Sequence, residues 1–148
     1  MEKNSQDNRA EKERKLRQIM TEVEAHRRQI EDLSRQMQYA EGRIIELNSA
    51  MVSLDSIKTA EKGKNILVPI GADAFIHAEL ADVAKVIIGI GADISIEESV
   101  EGAEKRLKEK AEQMGEAMKK LQNAITHVNT RLLELDAMSQ RMLQDIQA

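Results

Sequence analysis

Three histidines and one Gly-X-Gly are the residues of this chain whose types could do familiar chemistry. Imidazoles hold zinc or relay protons when two or more converge, commonly one helical turn apart or beside a carboxylate. His26, His77 and His127 instead fall on a helical, a strand and a helical pattern, with no paired spacing. Gly89-Ile90-Gly91 would open a dinucleotide-binding loop if a third glycine followed at position 94, but Ile94 stands there and the segment continues as a strand. The absence of cysteine removes thiol nucleophiles, disulfides and cysteine-ligated zinc. Carboxylates are plentiful, yet they lie mostly between apolar repeats, where the solvated flank of a helix expects them. These residues imply no catalytic set, metal or cofactor, and the chain reads as a binding or structural protein, not an enzyme.

The most specific feature is a repeat. ILVPIGADAFIHAEL from Ile66 to Leu80 is echoed by VIIGIGADISIEESV from Val86 to Val100, with IGAD shared at Ile70–Asp73 and Ile90–Asp93. Each copy has a β-branched arm, a glycine at the turn and a second arm of alternating character, the pattern of a β-hairpin. Two consecutive hairpins are therefore predicted over 65–98. Gly71 and Gly91, at the first central position of a two-residue loop, would supply the positive φ of a type II′ turn. In the second copy Val86, Ile88 and Ile90 share one strand face while Ile87 lies on the other, which predicts apolar character on both sides.

Long heptad patterns flank this insert. Leu16, Ile19, Val23, His26, Ile30, Leu33, Met37, Ala40, Ile44, Leu47, Met51 and Leu54 recur at alternating intervals of three and four. Leu107, Ala111, Met114, Met118, Leu121, Ile125, Val128, Leu132, Leu135, Ser139, Met142 and Ile146 do the same. A period of 3.5 keeps a stripe facing one partner helix, and at 1.5 Å per residue each seam runs roughly 57 Å. Helices are predicted over 14–62 and 99–148. Gly63 is the expected stop of the first, and Ser99 the expected N-cap of the second, with Glu101 favourable in its first turn. Because the insert returns the chain to its starting edge, the simplest arrangement is an antiparallel intramolecular coiled coil. Leu16 would then lie near Ile146, Leu54 near Leu107, and His26 beside Asp136. Residues 1–13 have no apolar period and are expected to form a disordered tail. The fold class is thus mainly α with a small β insert.

Composition agrees with extended helices. Of 148 residues only 1% are aromatic and 32% are charged, too few bulky groups for a compact core of that size. A net charge of −4 spread over both signs gives no basic footprint, and the scarcity of aromatics removes stacking platforms, so neither nucleic acid nor an acidic membrane is an expected partner. The longest apolar run is too short to span a bilayer, and a cytoplasmic location is expected.

The segments VPIGADAFIHAEL and KVIIGIGADISIEESVEGA, from Val68 to Leu80 and from Lys85 to Ala103, resemble the archaeal-type prefoldin alpha subunit, and the doubled hairpin is what distinguishes the alpha class from single-hairpin beta-class chains. The resemblance implies a hexamer of two alpha-class and four beta-class subunits, hairpins joined in a β-barrel platform, and coiled coils hanging from it. It further implies an ATP-independent holdase that captures non-native proteins at the coiled-coil tips and hands them to a group II chaperonin. Gly102 and Gly115 depart from the strong helix formers the second helix would prefer.

Two surfaces follow. Short hairpins are marginal alone and leave unpaired edges, so Ile66, Val68, Ile70, Phe75, Ile76, Val86, Ile87, Ile88, Ile90, Ile94 and Ile96 are the expected oligomerisation residues. Leu16, Ile19, Met20, Met138, Met142, Leu143 and Ile146 are the expected client-binding residues, a frayed and adaptable end enlarged by off-seam methionine and leucine. Off-seam Ile45, Val52 and Ile57 are expected to pack near the hairpins. The alternative function is a structural coiled-coil or filament-forming protein, similar to divergent prefoldins, that assembles through its hairpins.

Overall fold

The computed structural model describes the backbone of residues 2–147 and the side chains of residues 8–146. Six elements follow in order: α1 (Glu2–Lys58), β1 (Asn65–Gly71), β2 (Ala74–Glu79), β3 (Lys85–Gly91), β4 (Ile94–Ser99) and α2 (Val100–Gln147). All twelve residues of each heptad seam are buried or half-buried, as expected of two stripes that face each other. The chain divides into two compact units, Met1–Glu41 with Glu116–Ala148, and Gly42–Gly115.

In the first unit Ile19, Ala40, Val128 and Leu135 are buried. Antiparallel pairing is fixed by Arg131 of α2, whose Nε and Nη2 donate to Glu22 Oε1 of α1 at 3.2 and 3.0 Å. Nearer the termini, Asn8, Arg9 and Lys12 line one shallow pocket with Asp145 and Ile146. Helix α1 begins at Glu2, within the stretch expected to be a tail. Ion pairs one turn apart, Arg9–Glu13 and Lys15–Glu11, support helix there without an apolar stripe. Met1, the side chains of residues 2–7 and of Gln147, and Ala148 lie outside the described residues.

The second unit holds the hairpins. Leu54, Val100 and Ala103 form its buried centre, and Ile57, Val86, Ile88 and Leu107 pack against it. Off-seam Ile57 thus covers the hairpin base, whereas Ile45 and Val52 remain exposed. Helix α1 ends at Lys58, short of Gly63. Gly63, at φ 83°, instead donates its N–H to Leu80 O at 2.8 Å and closes the base of the first hairpin. Ser99 is the N-cap of α2: its Oγ accepts the Gly102 N–H at 3.1 Å.

Two findings correct the sequence reading of the strands. The hairpins form two separate two-stranded antiparallel sheets, β1-β2 and β3-β4, that do not pair with each other and are not closed into a barrel. Every strand bonds to its own hairpin partner alone, and two strands cannot curl round to meet themselves. The expected β-barrel platform is therefore absent. The turns also differ. Pairing passes from Pro69↔Phe75 to Gly71↔Ala74, and from Gly89↔Ser95 to Gly91↔Ile94, so Ile70 and Ile90 are bulged residues. The two-residue loops are then Ala72-Asp73 and Ala92-Asp93, with φ of 48°, 58°, 49° and 58°. Positive φ at both central residues is the signature of type I′, not II′. The bulge also turns Ile90 away from the face of Val86 and Ile88, leaving it exposed.

Candidate functional site

On β3 the alternation set by the pleat is realised: Val86 and Ile88 are half-buried on the helix pair, while Ile87 between them is 78% exposed. The same alternation leaves Ile66 and Val68 half-buried and Leu67 exposed on β1. Of the other expected oligomerisation residues, Ile70, Phe75, Ile76, Ile90 and Ile94 are exposed and Ile96 is half-buried. Each strand is paired on one side only, so every strand keeps an edge of free N–H and C=O groups. Val86 and Ile88, by contrast, are engaged within the chain. Leu67 was missing from the expected set, although its place between two inward residues of an alternating strand was signal enough.

The two hairpins are held differently. Arg106 of α2 donates Nε and Nη2 to the two carboxylate oxygens of Glu98 on β4 at 3.1 and 3.2 Å, and that fork holds the guanidinium above its ordinary pKa. Lys110 Nζ donates to Gly89 O at 3.2 Å, beside the bulge. Lys58 and Glu104 join the two helices at the same base; that hydrogen bond raises the lysine pKa. Among the described residues, the side-chain hydrogen bonds from a helix to a hairpin all go to the second hairpin. An apolar groove lined by Leu54, Val86, Ile87, Ile88, Ala103 and Leu107, among others, opens at its side.

The expected client residues are brought to one end of the first unit. Ile19 is buried and Leu16, Met142 and Ile146 are half-buried along the seams. Met20, Met138 and Leu143 stand outside it, Met20 at 62% exposure. Leu133, another off-seam apolar residue towards this end, extends the same class of surface at 71% exposure. The contact expected between His26 and Asp136 is replaced by neighbours on α1: His26 Nε2 lies 3.7 Å from Glu22 Oε1 and Nδ1 lies 3.2 Å from Gln29 Oε1. Glu22 is in turn the main partner of Arg131, which also donates to Glu134 at 3.2 Å; the two carboxylates raise the guanidinium pKa. The long arginine reaches across the helix pair, whereas the histidine is satisfied along its own helix.

Among the described residues, no group of three or more His, Cys, Asp or Glu side chains could hold a metal ion, and no helix is long and apolar enough to cross a membrane. The arrangement offers surfaces of apolar contact and open sheet edges, and so can do binding and assembly.

Comparison with known proteins agrees with this division. The family model for the prefoldin subunit matches residues 26–145. Prefoldin subunit alpha of Methanococcoides burtonii is 30% identical over 107 residues, covering 72% of this chain and 78% of that protein. Prefoldin subunit alpha of Methanosarcina barkeri is 27% identical over 139 residues, covering 92% and 96%. Among solved structures, the cryo-EM structure of filamentous PFD from Methanocaldococcus jannaschii matches with a TM-score of 0.70 and 28% identity, covering 80% of this chain and 98% of that one. Doubled hairpins between paired heptad helices, a family match over most of the chain and relatives of the alpha type together make this protein a non-enzymatic chaperone subunit of the prefoldin family, of the archaeal alpha type.

Proposed function

We propose that this chain is an assembling coiled-coil subunit whose hairpins join neighbouring subunits edge to edge in an open, repeating array, with the helix pairs left free to meet other proteins. One observation carries the reading: two separate two-stranded sheets keep an unpaired edge on each strand, beside exposed Leu67 and Ile87. An open pairing edge on each of two hairpins allows one subunit to link two others, the condition for growth of a heterologous chain of subunits. The likeness to a filamentous PFD over 98% of that chain supports the same reading.

A second reading is favoured by exposed Met20, Met138 and Leu143 and by the relatives named prefoldin subunit alpha. In it the chain joins beta-class subunits in a closed hexamer, captures non-native proteins at the coiled-coil end without ATP, and delivers them to a group II chaperonin in the cytoplasm. Native mass spectrometry separates the two. A ladder of species from the chain alone, spaced by its mass of 16.7 kDa, is the expected result. A monomer that forms one closed species only when beta-class subunits are added would overturn the open array in favour of the hexamer.

A further inference from the structure

Residues 9–17 of α1 carry five cations and two carboxylates, in a chain whose net charge is −4. Both carboxylates are already taken, Glu11 by Lys15 at 2.8 Å and Glu13 by Arg9 at 3.4 Å. Lys12 shares the shallow pocket near the termini with Asp145. Arg14 and Arg17 are exposed and, among the described residues, have no ion-pair partner. An exposed arginine alone is ordinary. These two, however, head a groove along α1 that continues over Gln18, Thr21, Glu22 and Ala25 and is lined mainly by apolar atoms. The Thr21 hydroxyl donates back to Arg17 O at 3.0 Å, which leaves its methyl group to the groove. The arginine stems add further apolar surface. Glu22, the one carboxylate of the lining, is already gripped by Arg131 of α2. The groove therefore combines an apolar floor with unspent positive charge at one end.

We propose that this groove takes an extended peptide segment in which a short apolar run adjoins a pair of acidic residues, with the carboxylates on Arg14 and Arg17 and the apolar side chains over Thr21 and Ala25. From Arg14 to Ala25 the helix rises about 17 Å, the length of roughly five residues of extended chain. A guanidinium offers a carboxylate two parallel donors, so two arginines one turn apart select for acidic residues as well as attract them. Nucleic acid fits less well. The only aromatic residues of the chain, Tyr39 and Phe75, lie outside the groove, and bases would find nothing there to stack on. The inference rests on the reading that leaves the helix pairs free to meet other proteins, and names the kind of segment they meet.

Fluorescence anisotropy of short labelled peptides added to the full assembled chain tests this. A peptide of two glutamates and three leucines, in the better of its two orders, should bind about five-fold more tightly than its counterpart with glutamines for glutamates, the size expected of two exposed ion pairs. Arg14→Gln with Arg17→Gln should erase that difference, and Arg14→Lys with Arg17→Lys should keep part of it. Lys119→Gln with Lys120→Gln, which removes the same charge from exposed positions of α2, should leave it unchanged. Equal binding of the two peptides would overturn the inference. So would an equal loss in the lysine control, which would mark attraction to net charge alone, or a single-stranded oligonucleotide binding more tightly than the peptide through the same arginines. Native mass spectrometry of each variant keeps the outcomes apart: selectivity absent while the ladder of species is intact sinks this inference alone, and selectivity present without a ladder sinks the open array alone.

Discussion

At the scale of single residues, the hairpin turns hold more strain than their sequence suggests. Ala72, Asp73, Ala92 and Asp93 all take left-handed φ, where a Cβ crowds the following carbonyl at a cost of roughly 1–2 kcal/mol per residue. Asn-Gly suits a type I′ loop far better. Ala72→Asn with Asp73→Gly should therefore stabilise the chain by about 1 kcal/mol, read as a raised urea midpoint; a lowered midpoint would mean the loop does not hold both positive φ values in solution. Asp82, between the hairpins, carries a different term. Its carboxylate accepts the Ala84 N–H at 2.7 Å, and chiefly that bond holds its pKa below the ordinary carboxylate value. Because the folded pKa is depressed, the contribution is present above the unfolded value, about 3.9, and is lost as pH falls through the folded one. Asp82→Asn should remove that share of the acid sensitivity. Urea midpoints at pH 7 and pH 3 would show a smaller drop for the variant than for the parent, and equal drops would assign the acid loss to other carboxylates.

At the scale of elements, what could be read from sequence was whatever repeats. The 3.5-residue period placed every seam residue on the covered side of its helix, and the IGAD repeat marked both hairpins. The turn type escaped because it depends on the bulges at Ile70 and Ile90, one-residue shifts that no alternation pattern announces. Helix over 9–13, within the expected tail, escaped because i,i+4 ion pairs such as Arg9–Glu13 leave no apolar period. The closed barrel came from family resemblance, and the pairing of each strand with its own hairpin partner overturns it. For assembly, the inward and outward residues of β3 must be treated separately. Lysine at Ile88 would invade the helix base, whereas Ile87 and Ile90 are exposed and leave that base intact. Ile87→Lys with Ile90→Lys should keep the helical circular dichroism signal yet abolish higher-mass species, since burying two unpaired charges between sheets costs several kcal/mol. Persistence of those species in the double variant would locate the subunit contact away from β3.

At the scale of the whole molecule, the two surfaces belong to different parts of the chain: the hairpins to the unit Gly42–Gly115, the methionine-rich end to the unit that contains both termini. Assembly and capture should therefore be separable by truncation. Helix ends lack intrahelical partners for their last backbone groups, so terminal turns open most readily and expose seam residues such as Leu16, Met142 and Ile146 beside already exposed Met20, Met138 and Leu143. Flexible thioethers adapt such a surface to varied partners. In the client-capture reading, several copies in one assembly would raise the effective concentration for a second contact once the first is made, so weak sites would suffice without a nucleotide. Deleting residues up to Thr21 and those after Ala137 removes this end but keeps Glu22 and Arg131, whose contact becomes the clasp of the shortened helix pair. The truncated chain should assemble as the parent does, while roughly ten times more of it is needed to suppress aggregation of an unfolded protein. Light scattering of a refolding substrate, titrated with each assembly, reads that shift. Undiminished suppression by a correctly assembled truncated chain would move the client site from the end of the helices to the exposed residues further along them, with Tyr39, Ile45 and Val52 the first to substitute.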